Sequence, residues 1–271
     1  MIYYKTFERS PKHEWVIMIH GLGGSSTIWF KQIKELRKHF NILLVELRGH
    51  GKSTGEKTEE NHYNFTMTSN DVVEVLDHLN IKHAHFIGIS LGSIIIRNIA
   101  KHSPKRVKSM ILGGLILGFN FRSKFLIFLG NLVKKVIPYM WLYNLFAWIM
   151  MPNKNHKESR ELFGKEAKKM NQREFIKWFR ITGDVDSNHK AIKDPKLTIP
   201  TLCIMGEEDY MFLPLVQKEV NKSFQGEIIV FENTGHVCNI EEPDKFNEVS
   251  LNFIYKHSNH KIKEFDLKKS I

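Results

Sequence analysis

HFIGISLGSIII, residues 85–96, is the stretch on which the reading of this chain turns. Its first half is an apolar run of strand formers. Its second half opens a helical pattern that continues to His102 and stops before Ser103-Pro104, because proline disfavours helical backbone in the residue preceding it. Between them lies Gly88-Ile89-Ser90-Leu91-Gly92, a G-x-S-x-G. Five residues of that pattern are cheap by chance. Set between a strand and a helix, they describe a turn so tight that the serine is strained and its hydroxyl exposed. The competing reading of Ser90 is an ordinary helix N-cap.

Outward from this turn, the same alternation repeats. Trp15–Ile19, Ile42–Glu46, Val107–Leu112, Thr201–Met205 and Ile228–Phe231 are short apolar runs without period-two alternation, as expected of parallel strands buried on both faces. Helical patterns lie between or after them at Thr27–Phe40, Thr68–Leu79 (with Thr68 and Asp71 as a cap-like start) and Asp244–Tyr255. Alternating strands and helices predict an α/β fold with a doubly wound, mostly parallel sheet. The rhythm breaks after Leu112. Roughly 80 residues then pass without a convincing strand, rich in Phe, Trp, Leu and Lys. The expected organisation is a core of residues 1–112 and 198–257, an inserted helical cap of 113–197, and a polar, basic tail of 258–271.

Three further loops supply chemistry that a serine needs. A hydroxyl is a poor nucleophile until a base takes its proton. His236, in Asn233-Thr234-Gly235-His236, follows the Ile228–Phe231 strand, where an imidazole reaches over the sheet edge. The other histidines read mostly as surface residues, and His83-x-His85 is too small a cluster for a metal site. The base needs a carboxylate to orient it. Gly206-Glu207-Glu208-Asp209 follows the Thr201–Met205 strand, and Asp209, deepest in the loop, is preferred to its two neighbours. No Asp or Glu stands between the Val107–Leu112 strand and Glu158, which removes the main competing position. Finally, His20-Gly21-Leu22-Gly23-Gly24 follows the Trp15–Ile19 strand. The backbone N–H groups of Leu22 and Leu91 are the expected donors to a developing oxyanion. The loop's spacing matches neither G-x-G-x-x-G nor G-x(4)-G-K-[ST], which argues against a phosphate cradle.

The elbow at Gly88–Gly92, the His20-Gly21 loop, Glu46-Leu-Arg-Gly-His-Gly-Lys-Ser53, Gly206…Asp209 and Gly235-His236 together resemble the α/β-hydrolase superfamily, in its carboxylesterase, monoacylglycerol-lipase-like and lysophospholipase-like branch. The resemblance covers residues 15–112 and 198–255 and hardly touches the cap. It implies a serine hydrolase working without metal or organic cofactor, with Ser90, Asp209 and His236 as its triad in the chain order expected of the fold. Glu46 departs from the usual Asp before Leu-Arg-Gly-His-Gly and reads as structural. The short N-terminal lead leaves room for one strand before Trp15, so fewer than eight strands are expected. Epoxide hydrolases and haloalkane dehalogenases carry Asp where this chain has Ser90. A thioesterase, a carbon–carbon bond hydrolase or a ligand sensor with little turnover would keep the same residues.

Composition sets the remaining expectations. The chain has 271 residues, 42% hydrophobic and 25% charged, an ordinary globular balance. Cys203 and Cys238 read as reduced thiols or small buried apolar residues, and the N-terminus lacks the pattern of a signal peptide, which together suggest a cytoplasmic protein. Net charge is +11 and is concentrated: Leu117–Leu197 holds 16 Lys/Arg against 7 Asp/Glu. With no Arg-rich helix or RNP-like motif, nucleic acid is not an expected partner. Val136–Asn153 is an uncharged run of 18 residues broken by Pro138 and Pro152, better suited to a buried or interfacial helix than to a membrane span. Phe119, Trp141, Phe146 and Trp148 are the expected substrate-binding residues of the cap, fitting an ester or lipid-like small molecule. Interleaved lysines suggest peripheral contact with an anionic membrane.

Overall fold

In the computed structural model, residues 1–55, 62–192, 198–223 and 226–258 are described. Seven strands form one sheet: β1 (Tyr4–Phe7), β2 (Trp15–Ile19), β3 (Asn41–Val45), β4 (Ala84–Ile89), β5 (Val107–Gly113), β6 (Thr201–Gly206) and β7 (Glu227–Phe231). Their spatial order is β1-β3-β2-β4-β5-β6-β7, and only β1 runs antiparallel, against β3. The other five pairings are parallel. Every residue of β3, β4 and β6 is buried, which is why those segments read as unbroken apolar runs. One strand precedes Trp15, as the short lead allowed.

Helices α1 (Phe30–Leu36), α2 (Phe65–His78), α3 (Leu91–His102), α9 (Leu213–Ser223), α10 (Cys238–Glu241) and α11 (Pro243–Lys256) belong to the sheet. Two elements differ from the sequence reading by more than a residue. The Thr27–Phe40 pattern divides into a 3₁₀ turn, Ser26–Trp29, and the shorter α1. The second helix starts earlier than Thr68, because Asn64 caps it by accepting from Met67 N–H at 2.8 Å, while the Thr68 hydroxyl bonds back to the carbonyls of Asn64 and Phe65.

Among the described residues, five α-helices stand between β5 and β6: α4 (Phe121–Val133), α5 (Tyr139–Met150), α6 (Lys157–Ala167), α7 (Gln172–Ile181) and α8 (Val185–Ile192). This matches the interval in which no strand was expected. Residues 193–197, at its end, and all of the basic tail except Ser258 lie outside the described residues. Among the described residues, no helix is long and apolar enough to cross a membrane.

Strand order also places the site. The chain steps from β2 to β3 on one side and returns to β4 on the other, so the direction of winding reverses between β2 and β4. In open α/β sheets the crevice beyond the carboxyl ends at such a point is where ligands bind. The loop after β2 and the turn after β4 meet there.

Candidate active site

The turn after β4 has the geometry its glycines imply. Ser90 has φ 55° and ψ −116°, a region that non-glycine residues adopt at a cost of ~1–3 kcal/mol. It is held there by its N–H donating to the Gly113 carbonyl at 2.9 Å and by its own carbonyl accepting from the Ser93 hydroxyl at 2.6 Å. A Cβ on Gly92 would collide with the Ile19 carbonyl oxygen, and one on Gly88 with the backbone of Gly92. The chain therefore passes at van der Waals contact only without those side chains. Ser90 occupies the N-cap position of α3 but makes no capping bond. Its hydroxyl points elsewhere.

It meets His236, whose Nε2 is 2.9 Å from Ser90 Oγ, while the other ring nitrogen, Nδ1, is 2.7 Å from Asp209 Oδ2. With Nδ1–H donating to the carboxylate, Nε2 is left to accept the serine hydroxyl's proton. His236 and Asp209 are fully buried. The second Asp209 oxygen accepts from Phe212 N–H, and the Phe212 ring lies 5.2 Å from the imidazole. The rejected neighbours point away: Glu207 accepts from Asn233 N–H, and Glu208 faces Asn155 at 2.9 Å and His156 at 2.7 Å. Thus the three residues singled out from separate loops form one hydrogen-bonded line.

The loop after β2 lies against this line, since a Cβ on Gly21 would stand 3.2 Å from Ser90 Cβ. Both peptide groups flanking Leu22 are pinned. The Gly21 carbonyl accepts from Gly24 N–H at 3.0 Å and from His20 Nδ1 at 2.8 Å. The Leu22 carbonyl accepts from the Tyr143 hydroxyl at 2.9 Å, and Gly23 N–H donates to His50 Nε2 at 2.9 Å. The Leu22 N–H has no acceptor among the described residues, and Leu91, first in α3, has none within its helix. Among the described residues, two backbone donors without an acceptor therefore lie beside Ser90.

Sequence reasoning missed the residues that hold this loop. His20 and His50 are buried and packed ring to ring at 4.8 Å, so not every histidine outside the site is a surface residue; His85 and His156 are buried as well. Burial pushes both His20 and His50 below the ordinary 6.5, His50 furthest because His20 stands beside it. Neutral rings can accept from Leu47 N–H and Gly23 N–H, as these do. Glu46 proves to be such a support too, accepting from Ser26 and from Lys52 N–H. No group of His, Cys, Asp or Glu among the described residues is arranged to hold a metal. Cys203 and Cys238 are free and buried, with burial raising the Cys203 thiol to about 12.

Above Ser90 lies a cavity of about 120 Å³ lined by Leu22, Leu91 and apolar side chains of the inserted helices, with no charged residue among them. Phe119 and Phe146 line it as expected. Trp141 and Trp148 do not. They are 73% and 58% exposed, on the outer face of α5, while Tyr143, Phe146 and Met150 occupy the inner one. The helix is apolar all round, so its residue types could not say which face turned inward. Trp178 and Phe179 also line the cavity. Their spacing with Phe175 on strongly amphipathic α7 was a legible signal that the reading passed over.

Comparison with known proteins agrees with this architecture. A family profile described as alpha/beta hydrolase fold matches residues 14–133. The chain is 26% identical over 255 residues to the RutD protein of Agrobacterium fabrum, named for carbamate hydrolysis, covering 88% of this chain and 92% of that one. The solved structure of MGS-M2, an alpha/beta hydrolase enzyme from a Medee basin deep-sea metagenome library, superimposes with a TM-score of 0.80 at 24% identity, covering 96% and 97% of the two chains. That of the enol-lactonase from Burkholderia xenovorans LB400 does so with 0.78 at 20% identity, covering 93% and 96%. At these identities the structural likeness speaks for the fold. The chain therefore has the α/β-hydrolase fold, and residues 14–133 match the profile of that name.

Proposed function

We propose that this protein is a serine hydrolase that cleaves carboxylic esters bearing an apolar acyl group through an acyl-enzyme on Ser90. The observation that carries the reading is the line from Asp209 through His236 to the Ser90 hydroxyl, ending beside an uncharged cavity and two unused backbone N–H groups. Ser90 Oγ attacks the ester carbonyl carbon as its proton passes to His236 Nε2. The oxyanion so formed is held by the N–H groups of Leu22 and Leu91. Collapse expels the alkoxide, which takes the proton from His236, and leaves an ester on Ser90. Water then attacks that ester, His236 again taking and returning a proton, and the free acid departs. Asp209 fixes the imidazole tautomer and stabilises the imidazolium in both halves.

The helices between β5 and β6 act in this reading as a cap supplying the acyl pocket through Phe119 and Phe146. A volume of about 120 Å³ is well below the ~300 Å³ at which pockets for drug-sized ligands begin, which favours a short acyl chain over a medium or long one. Carbamate hydrolysis, suggested by the RutD likeness, would use the same carbonyl addition. The uncharged lining favours an apolar acyl group over an ionised substrate.

A fluorophosphonate probe should label the wild type, and Ser90→Ala should abolish labelling; a mutant that still labels would overturn the nucleophile. Asp209→Asn should lower kcat on p-nitrophenyl esters by roughly 10⁴-fold, while Glu208→Gln stays within a few-fold. Labelling without turnover of any ester, lactone or carbamate would instead favour a ligand sensor.

A further inference from the structure

The inserted helices α4 and α5 are apolar on two sides. Their inner faces, through Ile127, Tyr143, Phe146 and Met150, line the cavity. Their outer faces are also apolar and are exposed. On α4, Phe121, Phe125, Phe128 and Leu132 recur at intervals of four, three and four and are 85%, 55%, 57% and 63% exposed. On α5, Trp141, Leu145 and Trp148 recur at four and three and are 73%, 49% and 58% exposed. Val136, in the connection, is 85% exposed. Single exposed apolar residues are ordinary; two successive helical stripes of them, aromatic in the main, are faces that something covers.

Charge says what covers it. From Phe121 to Lys157 the sequence contains Arg122, Lys124, Lys134, Lys135, Lys154 and Lys157, and no Asp or Glu. Lys135, Lys154 and Lys157 are exposed. Trp148 shares a shallow groove with Lys157, Arg160, Lys165 and Lys168, in which the one carboxylate is Glu161, 3.9 Å from Lys157. Lys124 pairs with Asp186 on α8. A second copy of the chain docking through a two-fold axis would set Lys135, Lys154 and Lys157 against cations of its own kind, with no carboxylates on the two helices to answer them. A bilayer with anionic headgroups answers both features at once, taking the aromatic stripes at the acyl boundary and the lysines at the headgroups.

We infer that the outer face of α4 and α5 is a docking surface for an anionic membrane. The protein rests on it peripherally, lysines against the headgroups and Phe125, Phe128, Trp141 and Trp148 below them. The inference stands on exposure and charge and is independent of whether Ser90 turns over an ester.

The full chain is tested with vesicles of phosphatidylcholine alone and with about one-third phosphatidylglycerol. Co-sedimentation with the anionic vesicles is expected, weakening as salt is raised, with a blue shift of tryptophan emission as Trp141 and Trp148 leave water. Trp141→Ser with Trp148→Ser should reduce vesicle affinity by ~10-fold or more, and Lys135→Gln and Lys157→Gln by about fivefold each. Unchanged circular dichroism and thermal unfolding midpoint report that the variants are folded. No binding, equal binding to both vesicle types, or binding untouched by salt would overturn the inference. So would concentration-dependent dimers in sedimentation velocity that the tryptophan variant abolishes, since the face would then belong to a second copy.

Discussion

Tyr143→Phe is the substitution that best separates orienting an oxyanion donor from simply filling space. The phenol is 3% exposed, and its ring stacks on Phe163 at 4.8 Å. Phenylalanine keeps that ring and loses only the 2.9 Å bond to the Leu22 carbonyl. Burial raises the phenol well above its ordinary 10, so it is a neutral donor at any working pH. Losing the donor leaves a buried carbonyl without this partner, a cost to stability of about 1–3 kcal/mol. The catalytic effect is distinct. The Leu22–Gly23 peptide is clamped between Tyr143 and His50, and releasing one end lets the loop carrying the Leu22 N–H drift. Removing an oxyanion donor outright costs ~10²–10³ in kcat, so loosening one should cost roughly tenfold. KM should hardly move, because the ground-state carbonyl carries little of the charge that the donor meets. Steady-state hydrolysis of a p-nitrophenyl ester reads both constants. Tyr139→Phe is the control: its hydroxyl bonds the carbonyls of Ala167 and Met170, wholly within the insertion. If Tyr143→Phe loses stability as Tyr139→Phe does while its kcat stays within twofold of wild type, the orienting role is refuted.

Two further outcomes follow from the geometry. Stability to urea should fall as pH drops below about 6.5, because the unfolded chain then protonates His20 and His50 while burial holds both folded rings neutral. The unfolded state thus binds more protons, giving up to ~1.4 kcal/mol per pH unit per histidine, with His50→Gln removing its share; a flat profile from pH 6.5 to 5 would contradict this. Phe146→Ala should widen the cavity and move the optimum in an acyl-chain series of p-nitrophenyl esters toward longer chains, and an unmoved optimum would place the acyl group elsewhere.

The central sheet was legible because its information is local. Parallel strands buried on both faces must be apolar throughout, and the boundaries read for Trp15–Ile19 and Leu91–His102 coincide with those of β2 and α3. The candidate site was legible for a related reason. Each of its proposed groups stands in a loop at the carboxyl end of a strand, so finding the strands pointed to Ser90, Asp209, His236 and Leu22, which the fold brings together. Helix starts were less secure: Asn64 and Thr68 are both capping residues, and which one caps depends on where the chain enters from the preceding loop.

What the residues by themselves determined is the backbone path at Ser90, since G-x-S-x-G between strand and helix admits few, and those bring Gly21 against the serine. What only the tertiary structure decided is which side of each inserted helix meets that chemistry. On α5 apolar residues surround the axis, so Trp141 and Phe146 are equivalent in sequence and opposite in space. The same packing chose Tyr143, His20 and His50 as the supports of the loop after β2. Their partners are a backbone carbonyl and backbone N–H groups, which leave no mark in residue type.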